Sequence, residues 1–408
     1  MSLKSGFVCP KGDLVVLGVS SHNRRPFLRR PPTVVTPGNA MSQRIPAYID
    51  FVKLLSRSRL LSPRQLSELP TPIGTSAGSQ QDTLDLIHCL LAERLITRWQ
   101  LKRLLHEGGR RFFLGKYKLL GELGAGMTGT VYLAEQTNLH RRVALKVLPC
   151  TPLVTDRTDE TEIERFRREC QVTAALTHNN IVHVFDFDTN GRCYYLAMEY
   201  VRGIDLHRLV AQRGPLPVAA AIDCVRQAAR GLAYAHRYGL IHRDVKPANL
   251  LRDVSGTVKL VDLGVALLPP DVHNAPTVME NDRAMLGTVD YLAPEQALNS
   301  QAVGPASDIY GLGCTLYELL TGKPPFASGS KAERLLRHQF EDPPRLRTLR
   351  PDVPVELERI CNRMLQKQPD ERFHKCEDLI RALYRVPEPS ASVTTMIEPG
   401  DLDFRIAA

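Results

Sequence analysis

The apolar positions of this chain change rhythm as it proceeds. Between Ala47 and His106 they keep helical time: Tyr48, Phe51, Leu54 and Leu55 recur at i, i+3, i+6 and i+7. Ser62-Pro63 marks a second helix start, a capping hydroxyl before a proline at the first helical position. The Gly/Ser/Thr/Pro-rich stretch Pro70 to Ser79 interrupts, and a longer helix is predicted over Asp82 to Arg94. Leu61-Ser-Pro-Arg-Gln-Leu-Ser-Glu-Leu69 lies against Ile96-Thr-Arg-Trp-Gln-Leu-Lys-Arg-Leu104 at an offset of 35, with hydroxyl cap, Gln and two leucines coinciding. This weak repeat reads as two helix-turn-helix units that pack on each other or on the next domain of the chain. A DNA-reading motif fits less well, because the second helices carry Leu and Trp where base contacts are needed. No flexible linker comes after them; Phe112-Phe113-Leu114 predicts a docked module.

From Tyr117 to about Tyr200 strand-like segments alternate with one charged helix, and residues 215–385 are mainly helical. The pattern predicts an α+β chain with a small β-rich lobe and a large α-rich lobe, preceded by a small all-α module. The expected divisions are a disordered basic leader over 1–45, the helical module over 46–113, a two-lobed domain over 114–385 and a disordered polar tail over 386–408.

Composition narrows the class. Hydrophobic residues at 43% and charged residues at 24% are those of a globular protein. No run reaches 18 apolar residues, and the start lacks a clean signal peptide, so no membrane span and a cytoplasmic location are expected. The nine cysteines contain no C-x-x-C pair, which argues for reduced thiols and against a zinc site. Of the net charge of +9, much sits in residues 1–45, where seven Lys/Arg face only Asp13. Such a tail attracts phosphate backbones, but no aromatics are interleaved, and a solvated leader is the preferred reading over nucleic-acid binding. Translation from Met41 in place of Met1 is an open alternative.

The chemistry is carried by a series of short motifs. Gly124-Ala-Gly-Met-Thr-Gly-Thr-Val131 is a G-x-G-x-x-G-x-V loop followed by a strand, not by the helix of a dinucleotide fold nor by the Lys of a P-loop. Glycines there let backbone N–H groups lie on phosphate oxygens; an ordinary tight hairpin is the bland alternative. Val143-Ala-Leu-Lys146 is a strand ending in a cation 17 residues after Gly129. A capping box Thr161-Glu-Ile-Glu164 opens a helix in which Glu169 flanks the apolar stripe. His242-Arg-Asp-Val-Lys-Pro-Ala-Asn249 sets an acid, a cation and an amide at offsets of 0, 2 and 5, a general base, a phosphate clamp and a metal ligand in one loop. Asp262-Leu-Gly264 puts a hard carboxylate, suited to Mg²⁺, at a strand end 18 residues after Asp244, and Ala293-Pro-Glu295 lies further on.

In this order these residues resemble the signature set of the eukaryotic-like serine/threonine protein kinases over 114–385, and the sequence is most similar to bacterial members. The resemblance implies a bilobal kinase fold and a non-specific serine/threonine protein kinase that uses ATP and Mg²⁺ on protein substrates bearing Ser/Thr, with autophosphorylation. By it, Lys146 holds the α/β-phosphates and pairs with Glu169, Asp244 takes the substrate hydroxyl proton, Lys246 neutralises the γ-phosphate, and Asn249 and Asp262 bind Mg²⁺. Gly124, Gly126, Gly129, Val131, Ala144, Glu199, Val201 and Leu251 line the nucleotide site, with Met198 as gatekeeper. Asp308 resembles the aspartate that anchors the catalytic loop, and Glu295 with Arg372 the ion pair of the large lobe. Two positions depart: Leu263 stands where the family usually has Phe, and Thr128 where many bacterial relatives have Gly. A noncatalytic kinase-like scaffold is the alternative, disfavoured by the complete set of polar ligands. Residues 46–113 are expected to bind a partner or a second copy. Between Gly264 and Gly287 the only hydroxyl is Thr277, the candidate for an activating phosphate beside Arg243.

Overall fold

The computed structural model describes residues 45–71, 78–108, 111–126, 129–148, 173–190, 193–263, 289–298 and 303–387. The chain divides into two compact units, Met1–Leu95 and Ile96–Ala408.

In the first unit, α1 (Tyr48–Ser58) buries Phe51 and Leu55 and packs against α3 (Gln80–Ala92); α2 (Pro63–Ser67) lies between them in the chain. The α3 helix starts two residues before the sequence pattern suggests. Ser79 is its cap, accepting the Asp82 N–H at 3.2 Å while the Asp82 carboxylate takes the Ser79 N–H at 3.0 Å. Thr83 donates to the Pro46 carbonyl at 3.0 Å and fixes the entry to α1.

The second unit opens with α4 (Arg98–Glu107) and continues into an antiparallel sheet: β1 (Phe113–Leu114), β2 (Tyr117–Gly126), β3 (Gly129–Gln136), β4 (Arg141–Val147), β5 (Val184–Thr189) and β6 (Tyr194–Glu199), in the order β1-β2-β3-β4-β6-β5. Alternation divides its residues between two faces. Tyr117, Leu119, Val143, Leu145 and Tyr195 pack on one, where Trp99 of α4 and Tyr132 join them. Ala144 and Met198 pack on the other, with Val131.

The large lobe begins with β7 (Gly203–Asp205), α5 (Leu206–Arg213) and α6 (Val218–Arg237), followed by β8 (Leu250–Asp253) and β9 (Val258–Leu260), which form a small sheet with β7. Then come α7 (Pro294–Leu298), α8 (Pro305–Thr321), α9 (Lys331–Phe340), α10 (Leu346–Leu349), α11 (Val355–Met364) and α12 (Cys376–Tyr384). The α8 helix is buried from Ser307 to Leu320, so it is the axis on which α6, α11 and the loop between α6 and β8 pack. The mixture of a sheet lobe and a helical lobe is the one the sequence pattern predicts.

Among the described residues no helix is long and apolar enough to cross a membrane. Cys89, Cys224, Cys314, Cys361 and Cys376 are buried free thiols, whereas Cys193 is disulfide-bonded, a departure from the expectation of reduced thiols throughout. Glu169 and the helix expected around it, Thr128, Thr277, residues 1–44 of the expected leader (1–45) and residues 388–408 of the expected tail (386–408) lie outside the described residues.

Candidate active site

The loop from His242 to Asn249 leaves α6 and returns as β8, and its shape is dictated by one buried carboxylate. Asp308, near the start of α8, accepts the His242 N–H at 2.9 Å and the Arg243 N–H at 2.8 Å, and meets His236 Nε2 at 2.7 Å. Two adjacent amides converging on one side chain force a sharp bend, and Arg243 sits at φ +65°. The Gln296 side chain takes up the Arg243 carbonyl at 2.9 Å. His242 is itself buried; its Nε2 meets the Val261 carbonyl at 2.9 Å, and its Nδ1 accepts the Asp244 N–H at 3.3 Å. With Nε2 as the protonated nitrogen both bonds are satisfied. The imidazole thereby ties Asp244 to the strand end that carries Asp262.

Asp244 is held from two sides. Lys246 Nζ lies 2.9 Å from Oδ1 and 2.8 Å from Oδ2. Asn249 Nδ2 donates to the Asp244 carbonyl at 2.8 Å and to Oδ2 at 2.9 Å. Because Asn249 directs its amide hydrogens at Asp244, its oxygen is the atom left to offer a cation. Asp262 follows β9 at φ +61°, and Leu263 behind it is buried. Burial of Leu263 is what an apolar side chain at that position requires.

Across the site, Lys146 on β4 is 1% exposed, with Nζ 2.9 Å from Asp262 Oδ1, an ion pair without hydrogen-bond alignment. Among the described residues this ammonium has no hydrogen-bond partner. A buried cation so placed is costly unless an anion completes its shell. Above it, Gly126 faces Gly129 across the β2–β3 turn. A Cβ at Gly129, where φ is +127°, would stand 2.1 Å from the Val147 carbonyl, so the fold itself demands glycine there. At Gly124 and Gly126 a Cβ would meet nothing within 4 Å. Among the described residues that space is open, a cradle for phosphate.

The adjoining apolar cluster is formed by Ala144, Val182 and Met198, with Leu123, Val131, Leu196, Val201 and Val261 packed against them. Val131, Ala144 and Val201, expected to line a nucleotide site, come together in this cluster. Leu123 and Val261 were not singled out, although each directly precedes a motif residue, Gly124 and Asp262. Leu251 is half-buried on β8, opposite Asp205 and Lys259, and is not part of this cluster. Glu199 ends β6 with its carboxylate 3.0 Å from Lys259 Nζ. In the large lobe, Arg372 is fully buried and bidentate on Glu295 at 2.7 and 2.8 Å, with Ser307 Oγ 2.7 Å from the same carboxylate. Burial alone would raise the Glu295 pKa; the Arg372 and Ser307 hydrogen bonds and the Arg372 charge outweigh it and hold the carboxyl below its ordinary value.

The residues present fit a nucleoside triphosphate with its metal: an apolar cluster beside a glycine turn, a buried ammonium paired with Asp262, and a carboxylate and an amide oxygen for a hard cation. The profile of the protein kinase domain matches residues 117–384, and the chain belongs to the protein kinase family. It is similar to the serine/threonine-protein kinase PknB of Mycolicibacterium smegmatis, 39% identical over 280 residues, which are 68% of this chain and 44% of that protein. It is also similar to the serine/threonine-protein kinase PrkC of Bacillus subtilis, 37% identical over 266 residues, 65% of this chain and 39% of that one. The chain thus spans less than half the length of these two relatives. Among solved structures, the kinase domain of Mycobacterium tuberculosis PknI superposes with a TM-score of 0.51 at 30% identity, over 67% of this chain and 96% of that one.

Proposed function

We propose that the chain is a serine/threonine protein kinase that moves the γ-phosphate of ATP to Ser and Thr hydroxyls of proteins, its own included. The observation that carries this reading is Asp244, presented by a rigid loop and flanked by Lys246 and Asn249, on the same framework as the Lys146–Asp262 pair. In this mechanism Val131, Ala144 and Val201 hold the adenine face, and the glycine turn with Lys146 orients the phosphates. Asn249 and Asp262 would hold Mg²⁺, which when bound offsets the charge on the phosphate oxygens. Asp244 aligns the acceptor hydroxyl and takes its proton, and Lys246 stabilises the oxygens of the transferring group. Positioning and charge stabilisation supply the rate; no covalent enzyme intermediate is needed. Lys246 two residues after Asp244, with the similarity to bacterial serine/threonine kinases, supports Ser/Thr over Tyr as acceptor. ATP as donor supports a cytoplasmic setting. We assign helices α1 to α3 to binding a partner or a second copy.

Incubation of the purified chain with Mg-ATP, followed by phosphosite mass spectrometry, tests the reading. Phosphate is expected on Ser/Thr only, with Thr277 among the sites. Asp244→Asn is expected to lower transfer by about 10²–10⁴-fold with an unchanged melting curve. Undiminished transfer by that variant would sink the assignment.

A further inference from the structure

The glycine turn is the tip of β2, and β2 is irregular on the way to it. Its register against β3 slips between Leu119 and Gly121 and again between Glu122 and Gly124, leaving Leu120 and Leu123 as extra residues. Among the described residues its other edge is covered only briefly: β1 pairs with Tyr117 and Lys118, and the last backbone bond on that side is from the Leu119 N–H to the Phe112 carbonyl at 2.8 Å. Beyond it the Leu119 and Leu120 carbonyls point away from β3, at the edge where unpaired backbone groups need partners.

Helix α4 supplies them from its first turn. Gln100 Nε2 donates to the Leu119 carbonyl at 2.6 Å, and Thr97 Oγ1 donates to the Leu120 carbonyl at 2.6 Å. The same two side chains form the helix's capping box. Thr97 Oγ1 accepts the Gln100 N–H at 3.1 Å, and Gln100 Oε1 accepts the Thr97 N–H at 2.9 Å. Gln100 is 1% exposed. The cap side chains therefore serve twice, once for the helix and once for the strand. Between them in the chain, Trp99 stands edge-on to Phe112 and to Tyr132, whose neighbour Val131 packs on the opposite face against the Ala144–Met198 cluster.

We propose that α4 is a positioning element for the nucleotide: the Thr97–Gln100 cap holds the bulge of β2 and so sets the place of the glycine turn and the affinity for ATP. The inference rests on the kinase reading for its reaction but not for its binding step. Thr97 and Gln100 touch neither nucleotide nor acceptor; they act through the Leu119 and Leu120 carbonyls.

The test uses the full chain with Mg-ADP in calorimetric titration and with ATP in steady-state transfer. Thr97→Val and Gln100→Ala are each expected to raise the Kd for Mg-ADP and the KM for ATP by about 3–10-fold, the size loss of the hydrogen bond to the strand implies, with kcat within about 2-fold. Thr97→Ser keeps the hydroxyl and is expected to restore both constants. Folded variants with unchanged Kd and KM, or with a lower kcat at unchanged KM, would overturn the proposal and leave α4 a structural brace. If both variants fail to fold, hydrogen exchange on the native chain decides. Protection by Mg-ADP that reaches the α4 amides along with 119–126 supports it; protection that stops at 126 and spares α4 overturns it. A native chain that binds Mg-ADP without transferring phosphate refutes the kinase reading alone, and one that binds no Mg-ADP overturns both.

Discussion

His338 is buried without exposure in the large lobe, its Nδ1 2.8 Å from the Tyr310 hydroxyl and its ring edge-on to Phe326. Burial first, and then the charge of Lys367, push its pKa down from 6.5 to about 3. The folded chain thus keeps this imidazole neutral, while the unfolded chain protonates it near its ordinary value. The resulting stability is fully present above pH 6.5 and is lost as pH falls toward 3; for a depression of this size, about 2 kcal/mol is gone by pH 5. Urea unfolding at pH 7 and pH 5 should show this loss, and His338→Leu, which cannot titrate, should show it reduced by that amount. Nothing in the sequence around His338 announces such a role, because its surroundings come from three separate segments. Asp244, Lys246, Asn249 and Asp262 were legible for the opposite reason: their chemistry is packed into two short runs whose residue types leave few alternatives. His236, Gln296 and Gln100 were missed because their partners lie 72, 53 and 19 residues away in the chain.

At the scale of elements, Arg372 and Glu295 join the turn before α12 to the first turn of α7. Arg372 also donates to the carbonyls of Gln366, Lys367 and Ala306, so its guanidinium is fully engaged. Arg372→Met leaves the Glu295 carboxylate buried without its partner and is expected to cost about 3–5 kcal/mol in denaturant unfolding, with Arg372→Lys recovering only part because an ammonium cannot make the two-pronged bond. The repeat at Leu61 and Ile96 is instructive at this scale. Both copies fold into a capped helix, with Ser62 and Gln65 reciprocating in α2 as Thr97 and Gln100 do in α4. The local structure was readable from the repeat; that the second copy closes a strand edge was not, since this depends on a bulge in β2 that no periodicity reveals. The sheet and helix lobes were legible from the change of apolar rhythm, which each element keeps independently of its neighbours.

For the whole molecule, the second compact unit begins at Ile96, whereas the match to the protein kinase family begins at Tyr117. A chain started at Tyr117 loses Trp99 from the outer face of the sheet and leaves the Leu119 and Leu120 carbonyls open. It is expected to melt lower and to bind Mg-ADP more weakly than one started at Ile96, and equal melting and binding would show α4 to be dispensable. The boundary set by common ancestry and the boundary set by closure of hydrogen bonds thus fall a helix and a short strand apart. That separation bears on modular exchange: grafting this catalytic unit behind a different regulatory module at Tyr117 would change its nucleotide affinity through the cut itself, before the new module had sensed anything. A graft made at Ile96 keeps the edge closed, so that any change in affinity can be credited to the module.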